Sequence, residues 1–251
     1  MNKMTGRLVN VLPRWLVKPL ATAWSSRANP IGNAGRQARW IRSSYWRFGQ
    51  DQRQYLFLSM ARFLHINRPV PGYYFEFGCN EANTVRMAWS TFRHLFDFHY
   101  VGFDSFEGLP EIAEIDKQPI WEKGKLAFAE QEFIRRAIGH GIPANRLTTV
   151  RGFYDTSLTP ALKQRMLPTK AAVIYIDCDL YVSTVPVLEW IKDFLQVGTV
   201  IAFDDWFCFH GDPKKGEQLA WNEFRERYPQ LRFAEFVSTN EAKTFIFLGA
   251  D

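Results

Sequence analysis

Cysteine is scarce in this chain. Its three cysteines, Cys79, Cys178 and Cys208, form no CxxC pair and are odd in number. That excludes a disulfide framework and a zinc-ribbon spacing, and it fits a reducing cytoplasm, with small buried filler as the expected role of all three. No run approaches the ~18–20 apolar residues that a bilayer span requires. The dinucleotide fingerprint G-x-G-x-x-G is missing as well: Gly78 stands alone, with Ala82 where a later glycine would fall, which disfavours nicotinamide binding. Internal repeats and low-complexity linkers are likewise missing. Acid, finally, is absent from the first 50 residues.

That last absence divides the chain. Of its 31 Lys/Arg, nine (Lys3, Arg7, Arg14, Lys18, Arg27, Arg36, Arg39, Arg42 and Arg47) precede the first acid, Asp51, which leaves 22 against all 26 acidic residues. A basic arm, 1–50, therefore precedes a mildly acidic body, 51–251, and the whole-chain pI of about 9.1 describes neither. The small-residue triplet Ala21-Thr22-Ala23 imitates a signal-peptidase site, but Pro13-Arg14 and Lys18-Pro19 break the apolar region such a signal needs. With Trp15, Trp24, Trp40 and Trp46 among its arginines, the arm suits peripheral contact with an anionic membrane face. It equally suits a cover for an active site or a subunit interface. Nucleic acid is a poor partner, because the acidic body would repel a phosphate backbone.

In the body, apolar residues between Gln52 and Ile66 recur at near-helical spacing, and Arg68-Pro69 and Pro71-Gly72 end that helix. Strands follow at Tyr73–Phe77, at HYVGFD (99–104) and at 146–150, with helices expected over 82–96 and 126–139 between them. Two further apolar runs, AAVIYI and VGTVIAF, flank a helical segment. A helix over 217–228 then leads to two strands joined by Ser-Thr-Asn-Glu, a hairpin signal. Strands alternating with helices and closing on a hairpin define an α/β fold, a doubly wound, mostly parallel sheet with one antiparallel edge.

The chemistry gathers at strand ends. AAVIYI ends in Asp177 and Asp179, and VGTVIAF ends in Asp204 and Asp205. Ligands of open α/β sheets sit outside the carboxyl ends of the strands. Four carboxylates converging there require a cation or protons to offset their repulsion, so a divalent metal beside a cofactor is expected. Gly78, at the end of the first strand, permits close backbone approach before a helix N-terminus. Asp104, at the end of the second, is placed to take ribose hydroxyls.

GFDSFEGLPE, IDCDLY with the later FDDW, and the supporting EFG together resemble the macrocin O-methyltransferase family of S-adenosylmethionine- and magnesium-dependent sugar O-methyltransferases. The resemblance runs from about Tyr73 to the C-terminus. It implies a Rossmann-like class I methyltransferase, with a seven-stranded sheet and an antiparallel C-terminal hairpin; the basic N-terminal arm ahead of them, expected to be helical, has no clear counterpart in the family. Carried over by position, it places Glu76 and Gly78 at the methionine part of the cofactor and Thr84 after the glycine loop. Asp104, with Ser105, Phe106, Glu107 and Gly108, falls at the ribose, and Gly152 and Phe153 fall near the adenine. It gives Asp177, Asp204 and Asp205 as metal ligands and Asp179 as their neighbour or a base. Ala82 departs from the family's usual glycine, which implies a slightly altered loop.

Methyl transfer from a sulfonium is an in-line displacement, so positioning carries much of the catalysis. A sugar hydroxyl is a weak nucleophile that a metal ion and a nearby base would activate. Asp179 and His210 are the candidate bases and His140 a weaker one, with Asp177 beside them in the catalytic set. The expected function is therefore O-methyl transfer to a sugar, glycoside or glycan by a cytoplasmic homo-oligomer, with an acceptor that the basic arm would suit if lipid-linked or anionic. Two other classes stand against it. A noncatalytic interaction protein on the same fold would have lost the acids that this chain keeps, and a nucleotide-dependent oxidoreductase would carry the missing glycines.

Overall fold

The computed structural model describes residues 30–67 and 70–251. The expectations built on Trp15, Trp24 and the Ala21-Thr22-Ala23 triplet lie outside these residues. A division into two compact units falls after Asp51. Helix α1 spans Pro30–Ile66, 37 residues, so it begins well before the expected 52. The apolar periodicity that marks its C-terminal part is absent from the Arg- and Ser-rich stretch ahead of it, where proline at the first turn is a permitted helix start. Among the described residues no helix is long and apolar enough to cross a membrane.

Seven strands form one sheet in the order β3-β2-β1-β4-β5-β7-β6. The first five, β1 (Tyr73–Phe77), β2 (His99–Asp104), β3 (Leu147–Arg151), β4 (Ala171–Ile176) and β5 (Val200–Phe203), pair in parallel. The hairpin of β6 (Leu231–Ser238) and β7 (Lys243–Ala250) joins β5 antiparallel. The order turns from β1 to β4 at the middle of the sheet, the place where a doubly wound fold opens a crevice. The helices alternate with the strands: α2 (Asn83–Phe92), α3 (Glu130–Gly139), the short α4 (Tyr154–Ser157) and α5 (Pro160–Met166), α6 (Tyr181–Ile191) and α7 (Gly216–Arg227).

Period-two alternation assigns each strand residue to a layer. Tyr74 and Tyr175 face one side, where Phe57 and Met60 of α1, Phe92 of α2 and Phe133 of α3 cover them. Phe75, Phe77, Phe103 and Ile174 face the other, under Val187 and Trp190 of α6 and Trp221 of α7. Phe77 stacks on Phe103 with centroids 4.4 Å apart, so β1 and β2 are fixed just before the residues that carry the site.

Two helices are shorter than expected. The expected 126–139 helix starts only at Glu130, because Gly124 and Lys125 exchange backbone hydrogen bonds with Leu109 and Leu126 adopts φ 65°. The expected 82–96 helix ends at Phe92 in a turn that returns the Leu95 and Phe96 N–H groups to the Phe92 carbonyl. The expectation passed over α5, whose start carries a local signal: Thr159 Oγ1 accepts from the Leu162 N–H, and Pro160 occupies the first turn.

Ala82 lies just before α2 at φ 64°, ψ 17°, fully buried. A Cβ in the left-handed region costs about 1 kcal/mol that glycine avoids. Ala82→Gly should therefore raise the melting temperature by a few degrees. A lowered melting temperature would show that the buried methyl contributes more by packing than the backbone loses.

Candidate active site

The segments that leave β1, β2, β3 and β4 surround a cavity of about 590 Å³. Gly78, Asp104, Ser105, Gly108, Phe153, Asp177 and Asp179 line it, together with Asn80, Tyr154, Lys123, Leu126 and the Leu109–Glu111 segment. Seven of the expected site residues thus meet in one space, although they come from segments as far apart as residues 78 and 179.

Gly78 is needed for its shape. It sits at φ +88°, and a Cβ added there would lie 1.9 Å from the Asp177 carbonyl oxygen. The β1 loop can pass β4 only without a side chain. Asp104 ties the neighbouring loops together. Its Oδ2 accepts from the Cys79 N–H at 2.7 Å and, more weakly, from Asn80 at 3.4 Å, while Oδ1 accepts from Phe106 at 2.6 Å. Ser105 Oγ donates to the Gly108 carbonyl and accepts from the Glu107 N–H, which closes the turn after β2. Asp116, buried, reaches across from the long 105–129 loop and accepts from the Tyr181 and Val182 N–H groups. It thereby supplies a negative charge to the start of α6 and anchors the loop above the cavity.

Other expected residues stand outside the cavity lining. Glu76 lies buried beneath it, with Oε2 accepting from the Tyr74 hydroxyl at 2.6 Å and Oε1 without a partner in hydrogen-bonding geometry. Thr84 is buried in the first turn of α2, and Phe106 packs against Phe133. Glu107 turns outward to Arg151 at 3.1 Å. Gly152, at φ +129°, donates its N–H to the Asp104 carbonyl and so supports Phe153, the residue that does reach the cavity. His210 is exposed at φ 60° in a 3-10 turn over Phe209–Gly211. His140 bonds Ser90 at the surface. Of the candidate bases, only Asp179 is in the cavity wall.

The acids group differently from the expected trio. Asp177, Asp179 and Asp205 bring one oxygen each within 4.8 Å of the others. Asp204 is occupied elsewhere: its Oδ2 accepts from Arg53 Nη2 at 2.7 Å, and its Oδ1 accepts from the Tyr175 hydroxyl. Asp179 adopts φ 59° and donates its backbone N–H to Asp205 Oδ2 at 3.1 Å, which draws the two strand ends together. Glu217, buried at the start of α7, accepts from the backbone N–H groups of Asp205 at 3.1 Å and Cys178 at 3.5 Å. Burial first, then the neighbouring carboxylates, pushes Asp177 and Asp205 well above the ordinary range. The same causes push Asp179 up to about 8, with burial ahead of Asp177 and Asp204. A set of oxygen donors this crowded suits a hard divalent cation.

Arg53, Tyr175 and Glu217 escaped the sequence reading, yet two of them left a signal. Arg53 lies one turn ahead of Phe57 on the same face of α1, and Glu217 shares a face of α7 with Ala220, Trp221 and Phe224. A charge on an apolar helical stripe must meet a buried partner.

All three cysteines are free. Cys79 and Cys178 are buried as expected, and burial raises both thiols, whereas Cys208 is only partly buried and its thiol donates to Asp205 Oδ1 at 3.4 Å.

Glu76 gives a pH signature. Burial pushes it from 4.5 to about 8, against the opposing effects of the Tyr74 hydroxyl, the Val85 N–H and Arg53. A carboxyl whose value is higher in the folded state favours folding below its ordinary value and loses that contribution as pH rises through the folded one. In a chelator-containing buffer the wild-type chain should lose stability between about pH 4.5 and 8, and Glu76→Gln should lose less over that window. Parallel melting curves against pH for the two proteins would contradict this.

With the geometry in hand, the chain matches the family described as Macrocin-O-methyltransferase (TylF) over residues 70–229. It is similar in structure to the calicheamicin methyltransferase CalS11, at TM-score 0.63 and 19% identity, covering 98% of this chain and 93% of that one. The O-methyltransferase NovP gives TM-score 0.62 and 19% identity over 78% of this chain and 80% of that one. TomG from Streptomyces achromogenes, an O-methyltransferase involved in tomaymycin synthesis and solved with S-adenosylmethionine, gives 0.51 and 13% over 77% and 80%. No curated protein matches the chain. At these identities the solved structures establish the fold, the doubly wound sheet with its C-terminal hairpin. The family match extends over more than half of the sequence, and the chain belongs to the macrocin O-methyltransferase family.

Proposed function

We propose that the chain is an S-adenosylmethionine-dependent O-methyltransferase that methylates a hydroxyl of a sugar, glycoside or glycan, with a divalent cation, magnesium, at its acidic cluster. The observation that carries this reading is the single cavity in which Gly78 and Asp104 face Asp177 and Asp179. Family membership supports O-methyl transfer. CalS11 has been described as a TDP-rhamnose 3'-O-methyltransferase, which supports a sugar acceptor.

The residues fit both the cofactor and the cation. A side-chain-free passage at Gly78, a carboxylate at Asp104 and an aromatic wall at Phe153 suit a nucleoside carrying a sulfonium tail. Asp177, Asp179 and Asp205 would hold the cation, which supplies positive charge that makes a neighbouring hydroxyl easier to deprotonate. The protein's own contribution is positioning and proton transfer. Asp104 orients the ribose edge, the Asp116-anchored loop excludes water, and Asp179 takes the acceptor's hydroxyl proton at its carboxylate. His210 has no part in this, because it is exposed outside the cavity wall. Homo-oligomer formation belongs to the proposal on the family resemblance, and contact of the basic arm with an anionic membrane face on charge asymmetry alone.

Calorimetric titration with S-adenosylhomocysteine tests the cofactor assignment. The wild-type chain should bind at one site, and Asp104→Ala should weaken binding about ten-fold or more through lost charge-assisted hydrogen bonds. An unaltered dissociation constant would contradict the ribose assignment. Failure of the wild-type protein to bind would favour a noncatalytic role for the fold.

A further inference from the structure

Six carboxylates lie in and beneath the acidic cluster: Glu76, Asp177, Asp179, Asp204, Asp205 and Glu217. Charge compensation among them is unevenly distributed. Arg53 forms an ion pair with Asp204 through Nη2 and Oδ2 at 2.7 Å, with a quarter of its side chain exposed and Nε without a partner. Its charge also acts on Asp177 and Glu76. Lys125 acts on Asp179. Tyr175 holds the other oxygen of Asp204 and is itself stacked on Phe57, one turn along α1 from Arg53, at 5.4 Å. Asp204 is therefore gripped from both sides by groups that the core fixes in place, while its chain neighbour Asp205 joins Asp177 and Asp179.

We propose that Arg53 is a positioning residue that sets the cation affinity of the site: its guanidinium is a resident counter-charge that a divalent ion at the Asp177–Asp179–Asp205 cluster must compete with. The inference rests on the reading that this cluster takes such an ion. Two consequences of the geometry follow. An ion entering beside Asp177 meets the repulsion of the fixed positive charge that already acts on that carboxylate. The carboxylate that would most increase the negative field, Asp204, is already neutralised by a partner that does not titrate.

Manganese is the probe, because its electron paramagnetic resonance signal reports free ion directly and independently of turnover. Titrated into the full-length protein, Arg53→Met should bind manganese about five-fold or more tightly than wild type, the Coulomb scale of one charge removed at a partly buried site. Arg53→Lys keeps the charge and should stay within about two-fold of wild type by the same reasoning. Arg53→Gln serves in place of the Met variant if circular dichroism shows that the latter is unfolded. Equal or weaker binding by a folded neutral variant overturns the proposal while leaving the metal reading intact. Absence of manganese binding in the wild-type protein and every variant overturns that reading, and the proposal with it.

Discussion

Repulsion among carboxylates at the ends of β4 and β5 governs this molecule. Chains that fold for stability alone keep like charges apart, and here Asp177, Asp179 and Asp205 meet within 4.8 Å while Asp204 and Glu217 press in from either side. The surrounding structure supplies what that arrangement needs. Arg53 and Tyr175 hold Asp204, backbone N–H groups bind Glu217 and Asp205, and burial favours the protonated forms of the others. These compensations come from α1, β4 and α7, so the same elements that make the core also hold the site. The concentration of perturbed acids in one crevice is the physical mark of a functional centre.

The second organising element is the loop that covers the cavity. Residues 105–129 contain little regular structure, yet they are fixed at three points: the Ser105–Gly108 turn, the Leu109 pairing with Gly124 and Lys125, and the Asp116 bonds to the start of α6. Gly108 at φ +84° approaches the Gly124 carbonyl so closely that a Cβ would lie 2.5 Å from it. The loop is thus a built wall. Through Asp116 it connects the Asp104 side of the cavity to the α6 side, near Asp179.

Much of this was legible in the sequence. β1 and β4 form where the apolar runs place them, and the acids fall at the strand ends because parallel strands buried on both faces read as continuous hydrophobic stretches. Gly78, Asp104, Asp177 and Asp179 follow from strand ends and Ser105, Gly108 and Phe153 from the family resemblance, and all seven line one cavity. Side-chain direction was not legible. Which of two adjacent aspartates turns inward depends on partners distant in sequence: Arg53 is 151 residues from Asp204, and no local pattern reveals that bond. The same limit applies to Glu76 and Glu107, which flank the cavity but point elsewhere, and to Leu126, which follows a remote pairing of Gly124 and Lys125 with Leu109 and adopts φ 65° instead of starting a helix.

A crystal structure with S-adenosylhomocysteine tests the central claim most directly. The ligand should lie in the cavity between Gly78 and Phe153, with its ribose hydroxyls against the Asp104 carboxylate and its sulfur toward Asp177 and Asp179. A ligand bound elsewhere, or one in the cavity whose ribose avoids Asp104 and whose sulfur points away from the acids, would contradict it.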